Sequence, residues 1–253
     1  MYYLFVAILL FSSATSRAHE VFLSTQVVDI KKQNVTGKQV DALAKATVSE
    51  KFEAGLQATY LERFNLFEKR AGAFVIYRPK TGVSLELKHL RGRENELLPE
   101  TQTSFAGYFS IGDGITPFVS FTDARYSATT VNYVRLGTEI EKLRNIILIP
   151  QVMSGRATFR SPAETEEIYA YGLRAVYYRE EKFSVFIFGS RGREASQGVI
   201  GVSNILVSTR SGGIGGSYFL TKGLKAELVV DHTDYEELGN QFVTTAFNLQ
   251  WVF

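Results

Sequence analysis

Three observations predict an all-β fold, a transmembrane antiparallel up-and-down barrel. Segments of about ten residues alternate apolar and polar side chains, aromatic residues gather beside short turns, and the last strand ends on Phe253. The composition agrees: 19 Phe, 13 Tyr and 1 Trp stand beside only 5 Pro, at a mean hydropathy near zero. A chain that is neither greasy throughout nor polar throughout, yet rich in rings, suits strands with one lipid-facing and one wet face. With no cysteine, disulfide frameworks, thiol catalysis and Cys-ligated zinc are excluded. A net charge of +2, with Lys and Arg spread along the chain, gives no basic stripe for nucleic acid.

In chain order, Tyr2 to Phe11 form an unbroken apolar run, followed by Ser16-Arg17-Ala18 with small residues at the −3 and −1 positions of a cut. Residues 1–18 therefore read as a signal peptide cleaved after Ala18. The apolar run spans only about 15 Å as a helix, half of a hydrocarbon core, so it does not read as an anchor. Residues 19–51 allow two readings. Val21–Ile30 and Val40–Val48 fit an extra hairpin, whereas Val40, Leu43, Ala44 and Thr47 also fit a short helix of an N-terminal periplasmic or plugging segment.

From Phe52 the alternation is continuous. Phe52, Ala54, Leu56, Ala58 and Tyr60 oppose Glu53, Gly55, Gln57 and Thr59, and Leu224, Ala226, Leu228 and Val230 oppose Lys225, Glu227, Val229 and Asp231. Residues 52–253 divide into twelve strands, near 52–63, 70–78, 83–92, 103–111, 116–125, 130–141, 146–157, 167–178, 183–192, 203–219, 224–234 and 241–253. The sequence favours twelve strands, with fourteen as the alternative if residues 19–51 add a hairpin. Short turns (78–82, 112–114, 142–145, 179–182, 221–223) alternate with longer polar connections (94–103, 160–166, 192–198, 234–240), as periplasmic turns alternate with extracellular loops. Tyr77, Tyr177, Tyr178, Phe183, Tyr218, Phe219, Trp251 and Phe253 crowd the short turns as a girdle. A soluble β-sandwich would also alternate, but its strands are usually five or six residues long, and a tilted membrane strand needs about nine to eleven.

The face opposite the apolar residues carries Glu53, Glu86, Lys88, Arg135, Glu139, Arg174, Lys225, Glu227 and Asp231. In a closed barrel these line the lumen. Their mixed signs suit either a ladder of ion pairs that fills a narrow interior or a narrow, weakly selective channel. The enzyme alternative rests on Asp231-His232-Thr233-Asp234 at a loop end, and on His89. Asp231 and His232 point to opposite faces, so His232 would need Ser208 or Ser211 from the next strand. Three scattered histidines have no metal-ligand spacing, and Gly212 to Gly216 lacks the Lys-Ser/Thr of a phosphate loop. No catalytic residue, cofactor or metal is assigned.

The ending Phe247, Leu249, Trp251, Phe253 resembles the C-terminal recognition strand of bacterial outer-membrane proteins. Together with "NYVRLGTEIEKL" (132–143), "EIYAYGLRAVYYREEKFSVFIF" (167–188) and "SGGIGGSYFLTKGLKAELVV" (211–230), the chain is similar to the YaiO-family outer-membrane β-barrels. The resemblance implies a barrel fold and an outer-membrane location, with no established reaction; alternation, girdle, leader and terminal Phe together read as a porin-like barrel of a Gram-negative bacterium, acting as a structural surface barrel or a narrow passive channel. Members carry helical repeats ahead of the barrel, where this chain has residues 19–51. The implied partners are outer-membrane lipid and lipopolysaccharide, and the barrel-assembly machinery during biogenesis.

Overall fold

The computed structural model describes residues 19–31, 35–93, 95–160, 163–179, 182–195 and 206–253; the signal-peptide reading of residues 1–18 lies outside them. The strands are β1 (His19–Ile30), β2 (Val35–Ser49), β3 (Phe52–Arg63), β4 (Leu66–Lys80), β5 (Val83–Gly92), β6 (Thr101–Phe109) and β7 (Ile115–Arg125). They continue as β8 (Thr129–Leu143), β9 (Ile146–Arg160), β10 (Ala163–Arg179), β11 (Phe183–Ala195), β12 (Leu206–Phe219), β13 (Leu224–Tyr235) and β14 (Asn240–Val252). Each strand pairs antiparallel with its chain neighbours, and β1 pairs with β14 from Glu20↔Val252 to Ile30↔Phe242, closing the barrel.

Fourteen strands, not twelve, close this barrel. Residues 19–49 supply the two additional strands, so the favoured twelve-strand count is overturned. The cause is the composition of β2. Between Val40 and Val48 its outward positions are small (Ala42, Ala44, Ala46), while Leu43 shares the inward face with Asp41 and Lys45, so the apolar/polar alternation that marks the other strands is blurred there. Closure removes every sheet edge, and in hydrocarbon each unpaired backbone group would cost several kcal/mol. Strands spaced about 4.8 Å apart and tilted about 40° enclose, for this number, a backbone cylinder roughly 14 Å in radius.

Every strand contributes an exposed large apolar residue to the outer wall, from Leu23 on β1 through Leu87, Leu136 and Leu173 to Phe247 on β14. On β14 the terminal set Phe247, Leu249, Trp251 and Phe253 shares this outer face, and the rings of Trp251 and Phe253 stack at 4.7 Å. The girdle at the short-turn rim is built of cross-strand ring pairs, Phe52–Tyr77 at 4.6 Å and Tyr177–Phe183 at 6.2 Å. Tyr178 and Phe219 depart from the expectation. They pair with Ser184 and Lys225 on the inner face, because neighbouring residues of a strand point to opposite sides.

The connections at the other rim are shorter than the sequence suggests. β3 and β4 are joined by Phe64 and Asn65 alone, both at positive φ (55° and 63°), the mirror-image turn that matches strand twist. β9 runs on to Arg160 and β10 starts at Ala163, so polar sequence that reads as loop continues the ladder. These strands exceed the nine to eleven residues a bilayer needs, and their polar ends stand beyond it.

Candidate functional site

The inner wall of the barrel falls into three levels. At the short-turn rim, four consecutive strands present a charged chain. Lys45 Nζ lies 2.8 Å from Glu20 and 3.3 Å from Glu53, and Arg78 donates to both oxygens of Glu53 at 2.6 and 3.3 Å. Gln250 donates to Glu20 at 2.8 Å, carrying the network back across the β1–β14 seam. These groups alternate in sign along neighbouring strands, the arrangement in which cross-strand charge pairs stabilise a sheet.

The middle level is a hydrogen-bonded arc on one wall. Gln39 and Thr59 both donate to Asp41 at 2.7 Å, and Arg70 donates to Thr59 at 3.4 Å and to Gln102 at 2.7 Å. Gln102 and Thr122 reach Ser104 at 3.5 and 3.4 Å. On the opposite wall the surface is aromatic. Phe186 and Phe188 lie flat over Gly215 and Gly213 of β12, where an added Cβ would come within 2.3 and 2.5 Å of the rings. The same device recurs at Phe74 over Gly55 and Phe118 over Gly137. Glycine at these places lets a ring cross the neighbouring strand, which tightens the sheet without leaving a void.

The third level, at the loop rim, is apolar and packed. Val131, Ala157, Phe159, Ile168 and Leu206 form one cluster, and Val28, Ile30 and Phe242 a second, joined by Phe64, Tyr235 and Leu238. Arg63 lies across Gly37 of β2 to place its guanidinium 5.8 Å from the Phe242 ring, so β3 reaches β14 over two intervening strands. The connection from β5 to β6 folds onto the inner face of β4. The Glu68 carboxylate, 4% exposed, accepts the backbone N–H groups of Glu96, Leu97 and Leu98 at 2.6, 2.8 and 2.6 Å. Asn95, 1% exposed, donates to the Lys69 carbonyl at 3.2 Å, and Leu98 is buried. One carboxylate thus satisfies three donors that no strand partner reaches, and it holds this segment across the mouth.

The ladder registers put Glu53, Glu86, Lys88, Arg135, Glu139, Arg174, Lys225, Glu227 and Asp231 all on the face opposite the exposed apolar belt. The structure does not gather them into one ladder of ion pairs. Glu53 belongs to the charged chain above; among the described residues the other eight have no ion pair within 4 Å. Arg174 lies over the Phe186 ring at 3.9 Å with its Nε buried and unpartnered, Arg135 stands 6.0 Å from the Tyr133 ring, and Lys225 stands 5.8 Å from the Phe219 ring. Glu227 accepts from Asn248 at 2.9 Å. Held this way, these charges do not neutralise one another across neighbouring strands.

His89 and His232 sit on the outer face. His232 is opposite Gly212 and Val243, while Ser208 donates to Glu237 at 2.6 Å and Ser211 bonds Thr233 at 2.9 Å, so both serines it would need are otherwise engaged. His89 meets the Thr103 hydroxyl at 2.9 Å. Among the described residues there is no cluster of three metal-ligating side chains.

Sequence reasoning missed Glu20, Lys45 and Arg78 of the charged chain, and Glu68 and Arg70 above it. The first two belong to the strands it left out. Glu68 and Arg70 were legible: Phe67-Glu68-Lys69-Arg70 alternates from an outward Phe67, and starting the strand at 70 concealed it.

No protein-family model and no curated protein matches this sequence. Among solved structures, the anion-selective porin from Comamonas acidovorans superposes with a TM-score of 0.54 at 6% identity, over 94% of this chain and 99% of that one. Outer-membrane expressed OmpT of Vibrio cholerae gives 0.55 at 9% identity, over 95% and 99%. At such identities the likeness is one of fold. Together with the closed ladder and the apolar outer belt, it makes this chain a multi-pass outer-membrane β-barrel.

Proposed function

We propose that the barrel is a narrow passive channel for small polar solutes, restricted at the loop rim. The observation that carries this is the contrast along the inner wall, where charges without ion-pair partners line the lower and middle lumen while apolar clusters and the segment held by Glu68 narrow the top. A barrel meant only as a rigid wall would gain by pairing its charges, since unpaired ones keep water inside. Porins with an aqueous channel usually have sixteen or eighteen strands, so fourteen fit a smaller passage. The likeness of residues 132–143, 167–188 and 211–230 to YaiO-family barrels supports the outer-membrane location on which this reading rests. In biogenesis, the outward row Phe247, Leu249, Trp251 and Phe253 is the segment offered to the barrel-assembly machinery.

Planar-bilayer recording of the folded protein tests the proposal. A small, steady conductance is expected, rising several-fold in Glu68→Ala, where the segment 95–98 loses its acceptor. Silence at every voltage from both proteins, each shown to be folded, leaves a structural barrel instead.

A further inference from the structure

Among the described residues, Arg174 stands apart from the other unpaired cations of the lower and middle lumen. Lys88 and Lys225 each have an acid two residues along the same face, Glu86 and Glu227, and Arg135 shares the inner face of β8 with Glu139. Around Arg174 the wall is uncharged. The ladder row that crosses it runs Ile149, Arg174, Phe188, Gly213, Asp231. β9 and β12 contain no acidic residue, and those of β10 and β11 lie toward the loops. Glu139 stands two strands away on β8, beyond Ile149, and Asp231 three strands away on β13; neither forms an ion pair with Arg174 within 4 Å.

The guanidinium lies 3.9 Å over the Phe186 ring, on the side away from Glu139. Arginine has five N–H donors, and here Nε is buried and unpartnered and no acceptor of the described chain meets the others. With Nε sealed, the group can offer the lumen only its terminal nitrogens. One row toward the loops, Gln151, Gly172 and Ser190 are successive cross-strand partners. Gly172 has no side chain, so a niche opens above Arg174 between Gln151 and Ser190, two strand spacings or about 9.6 Å apart. The Gln151 amide and the Ser190 hydroxyl have no hydrogen-bond partner in the described chain, and Ser190 is exposed.

The niche thus gathers N–H and O–H donors around one positive charge, with the half-buried Phe188 ring beside it and no carboxylate. A guanidinium edge matches a carboxylate through two parallel hydrogen bonds, and a neighbouring ring face takes a flat apolar body. Stacking on Phe186 fixes the plane of the guanidinium before any anion arrives, so little freedom is lost on binding.

We infer that this niche is a binding station for small carboxylates with a flat apolar body, the carboxylate on Arg174, Gln151 and Ser190 and the body against Phe188. The inference rests on the channel reading and names its solute class.

Benzoate is the probe, titrated by NMR into the folded full chain in detergent micelles beside benzamide, its uncharged counterpart. Benzoate is expected to bind, and benzamide about tenfold more weakly. Arg174→Gln, which removes the charge, and Ser190→Leu, which fills the niche, are each expected to weaken benzoate about tenfold. Lys51→Gln removes the same charge from the exposed β2–β3 turn and is expected to bind benzoate as the wild type does. Arg174→Lys keeps the charge without the two-pronged edge, so its loss is smaller; it provides the test if Arg174→Gln does not fold, as judged by heat-modifiable migration. The inference is overturned if wild type does not bind benzoate, if benzamide binds as tightly, if the Arg174 variants bind as wild type does, or if Lys51→Gln loses as much as they do. Conductance separates the two proposals. Folded protein that conducts without binding benzoate overturns this inference alone, and protein that binds benzoate but is silent in the bilayer overturns the channel reading alone.

Discussion

The two ends of the lumen solve the same problem with opposite chemistry. At the short-turn rim, Glu20, Lys45, Glu53 and Arg78 form a charged chain that satisfies its members while remaining wet. At the loop rim, Ile30 and Val207 are fully buried inside the barrel and Phe159 and Phe242 nearly so, and Glu68, whose carboxylate is buried with them, is occupied by three backbone donors. Water suffices to fill the first end. The second is filled by side chains, because a fourteen-stranded cylinder leaves space that can be closed only by reaching across strands, as Phe64 does in the apolar cluster and the Arg63 stem and guanidinium do over Phe242. The packed interior of the barrel therefore lies at its loop end, and the ion-paired chain that faces the lumen lies at the other.

The sharpest way to break this contrast is to hollow out the packed end. Phe159→Ala is expected to cost about 3–5 kcal/mol and Ile30→Ala about 2–5 kcal/mol, read as a lower denaturant midpoint for unfolding from vesicles. If either cost fell below that of a surface change, the loop end would not be a core. Next in size is a comparison of glycines. Gly213→Ala must displace the Phe188 ring or the Val230 carbonyl, which an added Cβ would approach to 2.5 and 2.7 Å, and is expected to destabilise by about 1–3 kcal/mol. Gly189→Ala, on the outer face, is expected to be neutral or to stabilise by up to about 1 kcal/mol. Equal effects would mean that the inner rings do not dictate their glycines.

At the charged end, Lys45→Met removes two ion pairs but leaves Arg78 on Glu53, so a cost of about 1 kcal/mol is expected. The larger readout is selectivity, because the freed Glu20 and Glu53 shift the bilayer reversal potential toward cations. An unchanged reversal potential would show that this rim does not meet the permeating solute. The smallest effect is on pH. The Ser208 hydroxyl and N–H hold the Glu237 carboxyl, in the β13–β14 connection, below the ordinary glutamate range. Its contribution is therefore complete above that range and is lost as pH falls through the lowered folded-state value. Glu237→Gln should lower the neutral plateau slightly while leaving the acid end unchanged, so that the acid limb flattens.

Much of this molecule was legible in the sequence. The strands from Phe52 onward follow period-two alternation, and the same parity that sends Leu224, Leu228 and Val230 outward sends Lys225, Glu227 and Asp231 inward. The first hairpin was not legible. Alanine on its outward positions and Leu43 on its inward face give β2 nearly the pattern of a short helix. The partners of the inward charges were also hidden. Parity tells which way a side chain points but not its height on the wall, so a set that suggested a ladder of pairs proved to be mostly isolated charges and ring contacts.

The chain's own alternation determined that these strands would have a greasy side and a polar side, because side-chain direction in a strand is fixed by position alone. It could not determine how many strands close the circle. Closure depends on whether Glu20 to Ile30 finds its hydrogen-bonding partners on β14, more than two hundred residues away in sequence, and on how much inner volume Phe159, Phe242 and the segment held by Glu68 can fill. Those are long-range matches of backbone donors and of space, and they exist only once the sheet has curled.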